Sequence, residues 1–178
     1  MVVWITGLSG CGKTTLCQEV ISLVKSRLPN LVCLDGDVIR AIMGNDLEYT
    51  EQDRVLQVRR LQNLARELSR QDLVVLVGVV YTHPDLLAWN RSNFDEYFEV
   101  YLKAPMHFLR RRDPKKLYAR ASAGEITNVV GVDIPWYPPE SPDMVIDATE
   151  MTPPDQLALR LAQRVPALSA ALPDTDVA

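Results

Sequence analysis

Short apolar runs alternate along the 178-residue chain with longer segments whose apolar residues recur at helical spacing. Val2-Val3-Trp4-Ile5-Thr6 reads as a strand apolar on both faces, followed by a glycine-rich loop from Gly7 to Gly12 and a helix from Lys13 to Leu28. Pro29-Asn30 stops that helix, and Leu31-Val32-Cys33-Leu34 reads as a second strand ending at Asp35. A short helical stretch is predicted from Val38 to Met43. The Arg-rich segment from Thr50 to Arg70 reads as a helix with Leu56, Leu61, Leu64 and Leu68 on its inner stripe. Thr50 followed by Asp53 resembles the start of a capping box. Leu73 to Val80 is the most apolar run and reads as the central buried strand. Tyr97 to Leu102 and Met144 to Ile146 supply a fourth and a fifth strand, and a last helix is predicted from Pro154 to Val165. This alternation implies βαβ units, hence an α/β class with a parallel sheet covered on both faces. Ligands then belong at the carboxyl ends of the strands.

The length fits one domain, placed at residues 1–168, with 169–178 expected to form a flexible tail. Nineteen Lys and Arg against 23 Asp and Glu give a net charge of -4, and 47% hydrophobic residues suffice for a sizeable core. That balance argues against disorder and against nucleic acid as a partner. Cys11, Cys17 and Cys33 form no CxxC pair, so a reducing cytoplasm is the expected compartment. The run from Val2 to Ile5 is too short for a signal peptide, and no stretch approaches the roughly 20 apolar residues of a membrane span, so no membrane partner is expected.

The chemistry concentrates in Gly7-Leu8-Ser9-Gly10-Cys11-Gly12-Lys13-Thr14, a full match to G-x-x-x-x-G-K-[ST] between a strand and a helix. Its glycines let successive amides face phosphate oxygens, Lys13 adds a point charge, Thr14 offers a hydroxyl to Mg2+, and the helix start favours anions. The expected ATP-binding set is Gly7, Ser9, Gly10, Cys11, Gly12, Lys13, Thr14 and Thr15, with Arg112 from a later basic cluster. In Asp35-Gly36-Asp37, Asp37 is placed to orient or deprotonate an acceptor hydroxyl or to hold Mg2+; the competing role is capping the following helix. The third strand ends in Gly78-Val79 with no carboxylate, which puts more weight on Asp37.

Arg40, Arg54, Arg59 and Arg60 are candidates for gripping a second anionic substrate, with at least two of the four expected to be ordinary solvated arginines. Arg110-Arg111-Arg112 with Lys115 and Lys116 suggests a basic helical lid. His83 and His107 lack metal-ligand spacing and are assigned to the surface. Trp4, Trp89 and Trp136 are assigned to packing, Trp136 near the acceptor site.

Together these segments resemble the adenylyl-sulfate kinase family. The resemblance spans Ile5 to Asp147 and rests on Ile5 to Thr15, Leu34-Asp35-Gly36-Asp37-x-x-Arg40, Asp53-Arg54 with Arg59-Arg60, and Arg112-Asp113-Pro114-Lys115-x-Leu117-Tyr118. Its most distinctive piece is Ala123-Gly124-Glu125-Ile126-x-Asn128-x-x-Gly131-x-Asp133. It implies a P-loop kinase three-layer sandwich with a five-stranded parallel sheet, often a homodimer. It further implies transfer of the γ-phosphoryl of MgATP to the 3′-hydroxyl of adenosine 5′-phosphosulfate, giving 3′-phosphoadenosine 5′-phosphosulfate. Asp37 and Lys13 would be catalytic, with Thr14 and Asp37 toward the metal. Asp37, Arg40, Tyr49, Arg54, Gln57, Lys115, Asn128 and Val129 would meet the acceptor.

Departures from the family pattern cluster on the acceptor side. Gln57 stands where Asn is usual, Glu48-Tyr49 replaces Gly-Phe, and Val129-Val130 replaces an aromatic followed by Thr. Losing one aromatic wall costs roughly 1–3 kcal/mol of base stacking. Tyr81-Thr82-His83-Pro84 replaces Ser-Pro-Tyr-Arg, leaving Arg91 as the candidate replacement cation. The alternative acceptor is another activated nucleotide such as cytidine diphosphoramidate, with its smaller base. An alternative of a different class is a non-catalytic nucleotide-binding partner protein.

Overall fold

A computed structural model describes residues 1–150 and 152–173. Five parallel strands run in the order β2-β3-β1-β4-β5: β1 Val2–Thr6, β2 Leu31–Asp35, β3 Val74–Val79, β4 Tyr97–Lys103 and β5 Met144–Asp147. Helices α1 Lys13–Val24, α3 Glu51–Ser69, α4 Pro84–Asn93 and α7 Pro154–Arg164 cover the sheet, and the short helices α2 Gly36–Ile42, α5 Met106–Arg112, α6 Leu117–Ser122 and α8 Pro166–Ser169 fill the connections. The α/β class and the five-stranded parallel sheet therefore stand.

The expectation that the third strand is central is corrected. β1 pairs with both β3 and β4 and occupies the middle. Both strands are buried along their whole length, so apolarity alone could not tell them apart.

The inner stripe of α3 also differs from the leucine reading. Leu56 is 52% exposed, and the buried positions are Gln57, Val58, Leu61, Gln62 and Ala65. Two glutamines sit inside because their amides are hydrogen-bonded. Gln62 Nε2 donates to Leu86 O at 2.9 Å and to Asn90 Oδ1 at 2.7 Å, and Gln57 Nε2 donates to Gly36 O at 3.1 Å. α1 ends at Val24, four residues before the predicted stop, where Arg27 N–H and Leu28 N–H both turn back to Val24 O. At the other end of the chain, Ala171 is buried, so packing continues past the predicted domain end into the segment expected to be a tail. Residues 174–178 of that segment lie outside the described residues.

Thr50 caps α3: its hydroxyl oxygen accepts from Asp53 N–H at 3.2 Å and its proton goes to Asp53 Oδ2 at 2.8 Å. Thr50→Ala is expected to cost about 1 kcal/mol, read as a fall of roughly 2–4 °C in Tm. An unchanged melting curve would show that the cap contributes nothing.

Candidate active site

The chain leaves the central strand at its carboxyl end and must turn at once into α1. At Gly7, with φ +152°, a Cβ would lie 2.6 Å from Cys11 Sγ and 2.7 Å from Leu102 O, so a larger residue does not fit. Gly12, at φ +106°, is the N-cap of α1 and carries no capping side chain, which leaves the first helical amides to a ligand. Lys13 folds back over this loop, its Nζ donating to Gly7 O at 2.8 Å and Leu8 O at 3.0 Å. From α6, Tyr118 donates its hydroxyl to Ser9 O at 2.9 Å. Burial raises the Tyr118 pKa, so the phenol keeps that proton.

The two carboxylates after β2 divide their work. Asp35 Oδ1 accepts from Asp37 N–H at 2.9 Å and Val38 N–H at 3.3 Å, and so caps α2. The capping role weighed for Asp37 therefore falls to Asp35. Asp35 Oδ2 also accepts the Thr14 hydroxyl at 2.9 Å, a link to the phosphate loop that sequence reasoning missed. Asp37, released from capping, meets Lys115 at 2.9 Å, with side chains 69% and 67% exposed. The hydrogen bond and negative charge of Asp37 raise the Lys115 pKa.

A cleft of about 390 Å³ collects most of the predicted residues. Ser9, Gly10, Gly12, Lys13, Thr14 and Thr15 line it from the loop and the start of α1, Asp37, Arg40, Tyr49, Arg54 and Gln57 from the opposite wall, and Arg112 and Lys115 from the end of α5 and the turn after it. Arg40 is only 6% exposed, and its guanidinium donates to Leu47 O and Glu48 O, each at 2.9 Å. It lies 4.8 Å from the Tyr49 ring centre, and Arg54 lies 5.5 Å from the same ring. Burial, with the charge of Arg40 beside it, lowers the Arg54 pKa from its high ordinary value.

Several expectations are corrected here. Val129 is 3% exposed in the hydrophobic core and does not line the cleft. Asn128, at φ +64°, likewise stays out of the lining and acts through its carbonyl, which accepts from Arg54 Nη2 at 2.6 Å. The Asp133 carboxylate takes the amides of both residues and so holds that loop. Two of the four arginines stay out of the cleft, in line with expectation: Arg59 turns to Gln62 and the face of Trp89, and Arg60 pairs with Asp46, which leaves Arg40 and Arg54 at the cleft. Arg91 does not replace the missing loop arginine. It pairs with Asp143 and Glu99, carried away from the cleft by two turns of α4. Trp136 packs 6.2 Å from Tyr101, apart from the cleft lining.

Behind the loop lies a second cavity of about 470 Å³, bounded by Cys11, Thr15, Phe108, Arg112, Ala148 and Pro153 among others. It places Cys11 on its wall rather than in the first cleft, while Gly7 is buried beneath the loop. The sequence offered no signal for this cavity, because its walls come from five separate elements, α1, β4, α5, β5 and α7, with the phosphate loop and the connection before α7.

An ammonium and free helix amides on one wall, faced by carboxylates and arginines on the other, suit a protein that moves a phosphoryl group between two bound anions. By fold and site the chain is a P-loop phosphotransferase. The family model described as Adenylylsulphate kinase matches residues 1–147, and the chain belongs to that family. It is 37% identical over 152 residues to the adenylyl-sulfate kinase of Halothermothrix orenii, covering 85% of this chain and 82% of the relative. It is 38% identical over 146 residues to the cytidine diphosphoramidate kinase of Campylobacter jejuni, covering 82% and 85%. The Mycobacterium tuberculosis APS kinase in complex with AMPPNP and APS superposes with a TM-score of 0.80 at 32% identity, over 92% of this chain and 95% of that one. Among the described residues, no helix is long and apolar enough to cross a membrane.

Proposed function

We propose that this protein transfers the γ-phosphoryl group of ATP to the 3′-hydroxyl of adenosine 5′-phosphosulfate. The observation that carries this reading is the single cleft in which Lys13 and the loop amides face Asp37, Arg40 and Arg54. The second cavity, which shares Gly12, Thr15 and Arg112 with that cleft, takes the nucleoside end of ATP. Lys13 and the amides that follow Gly12 hold the phosphates, while Arg40 and Arg54 hold the anionic end of the acceptor. Asp37 orients the attacking hydroxyl and accepts its proton, for which Lys115 must give way.

The donor set fits Mg2+, a hard cation that takes oxygen ligands and keeps several waters. Thr14 gives its proton to Asp35, so its oxygen lone pairs stay free, and the carboxylates of Asp35 and Asp37 flank the same cleft. Thr14, with Asp35 and Asp37 beside it, would hold the ion, which would supply positive charge against the charge that develops on the transferring phosphoryl group. The three free thiols accord with a reducing cytoplasm. A homodimer accords with the apolar side chains of Val38, Ile42 and Met43 exposed on and just after α2, and light scattering on the full chain reads its mass.

Cytidine diphosphoramidate is the second reading of the acceptor. It is favoured by the burial of Val129, which leaves Tyr49 as the aromatic side chain at the outer cleft and suits a smaller base. The test is phosphoryl transfer from MgATP to both acceptors and to plain nucleotides, with products identified by mass. A 3′-phosphorylated phosphosulfate as the preferred product supports the first reading, and preference for the cytidine compound supports the second. Tight ATP binding with transfer to none of them would reduce the protein to a nucleotide-binding partner.

A further inference from the structure

Beneath the cleft, two thiols that the proposed chemistry leaves unused face one another. The Thr14 hydroxyl reaches Asp35 at 2.9 Å, which puts the Asp35 side chain on the α1 side of the sheet. Alternation along β2 then places Cys33, two residues back, on that same side. Cys17 follows Thr14 by three residues on α1, so it lies nearly one helical turn further from the cleft, in the same direction as the step from Asp35 to Cys33. Its Sγ would stand 3.9 Å from a Cβ placed on Gly78, the residue opposite Asp35 on β3. The missing side chain at Gly78 gives this sulfur its room against the sheet.

The two cysteines differ in access and in acidity. Cys17 is 4% exposed, whereas Cys33 is half-buried on β2, an edge strand of the sheet. Side-chain hydrogen bonding between the thiols, with burial adding to it, holds the Cys17 pKa well above the ordinary thiol value, and the same contact holds that of Cys33 below it. An accessible thiol that ionises readily beside a sealed one is the arrangement of an attacking and a resolving cysteine. Cys11 stands apart on the phosphate loop, its Sγ 3.8 Å from Lys13 Nζ.

We propose that Cys17 and Cys33 form a reversible disulfide that loosens the phosphate cradle when low-molecular-weight disulfides accumulate. This rests on the reading of the loop as the ATP cradle. The Cys33 thiolate attacks one sulfur of the small disulfide, whose S–S bond breaks and releases one thiolate; Cys17 then attacks the Cys33 sulfur and displaces the other. Each protein thiol gives its proton to solvent and each released thiolate takes one back. The protein loses two electrons and the small disulfide gains them. Bonding draws the sulfurs from nonbonded contact to about 2.05 Å, which pulls α1 toward β2 one turn below Lys13 and Thr14. The first turn of α1 and Asp35 then leave the places in which the Thr14–Asp35 hydrogen bond holds them.

The test equilibrates the full chain in glutathione buffers of graded oxidised-to-reduced ratio, maps tryptic peptides after acid quenching, and titrates each form with MgATP by calorimetry. The expected product joins peptide 14–25 to peptide 28–40 and leaves Cys11, on peptide 1–13, outside the link. MgATP is expected to bind the disulfide form about tenfold more weakly than the dithiol, with full recovery on reduction by dithiothreitol. By linkage, saturating MgATP should favour the dithiol by the same factor, a rise of about 30 mV in the midpoint potential of the pair. Cys33→Ser, outside the cleft lining, should bind MgATP as the reduced wild type does, whatever the buffer ratio. Failure of the link to form, equal MgATP affinity of the two forms, or a surviving redox response in Cys33→Ser overturns the switch. A redox response of MgATP binding without phosphoryl transfer by the reduced protein would instead defeat the kinase reading and leave the switch standing.

Discussion

Lys13→Ala is expected to lower kcat for phosphoryl transfer by about 10³-fold. The ammonium is the one side-chain cation on the phosphate loop itself, held in place by two loop carbonyls. Without it, charge that builds on the transferring group would meet only amide dipoles, the metal ion and the cations Arg112 and Lys115. The fold should survive, because both carbonyls can turn to water once the lysine is gone. The expected stability loss is about 1 kcal/mol, or roughly 2–4 °C in Tm. Single-turnover kinetics beside a melting curve check both halves. Full activity in the variant would remove the loop from the proposed chemistry.

Asp37→Asn is expected to reduce kcat by about 10²–10⁴-fold with little change in the KM for ATP. The carboxylate faces the cleft without a capping duty, since Asp35 performs that role. Unfolding cannot imitate the effect. The Asp37–Lys115 pair is two-thirds exposed, and such pairs contribute roughly 0–1 kcal/mol. The raised Lys115 pKa makes its contribution fully present below the ordinary lysine value and lost only as pH rises through the higher folded one. Assays near neutrality lie far below that window. Parallel kinetics of Lys115→Met separate the partners: the lysine variant should alter the lid, while the asparagine variant removes the proton acceptor. Equal kcat for Asp37→Asn and wild type would exclude Asp37 as the base.

Whatever lay in a contiguous stretch was legible before any coordinates. The phosphate loop is eight consecutive residues whose amides must curl around one anion, so its spacing is its chemistry. Asp37, Arg40 and Arg54 could be named because β2, α2 and the start of α3 follow one another and lead to one cleft wall, while Gln57 was legible only through the family resemblance. Leu56 shows where that reasoning stops. A leucine spacing fits α3 as well as the true stripe does, and the partners of Gln57 and Gln62 lie 21 to 28 residues away.

The sequence by itself determined the α/β class, the number of strands and the phosphate loop, because periodicity, glycine placement and an apolar flanking strand are local properties. Tertiary structure alone decided which strand is central, that Asp35 rather than Asp37 caps α2, that Val129 is core, and that a second cavity lies behind the loop. The strand order, the burial of Val129 and the second cavity depend on contacts between segments far apart in the chain, whose pairing energy no single stretch carries, whereas the Asp35 cap spans only two to three residues and was decided by the backbone conformation of the turn after β2.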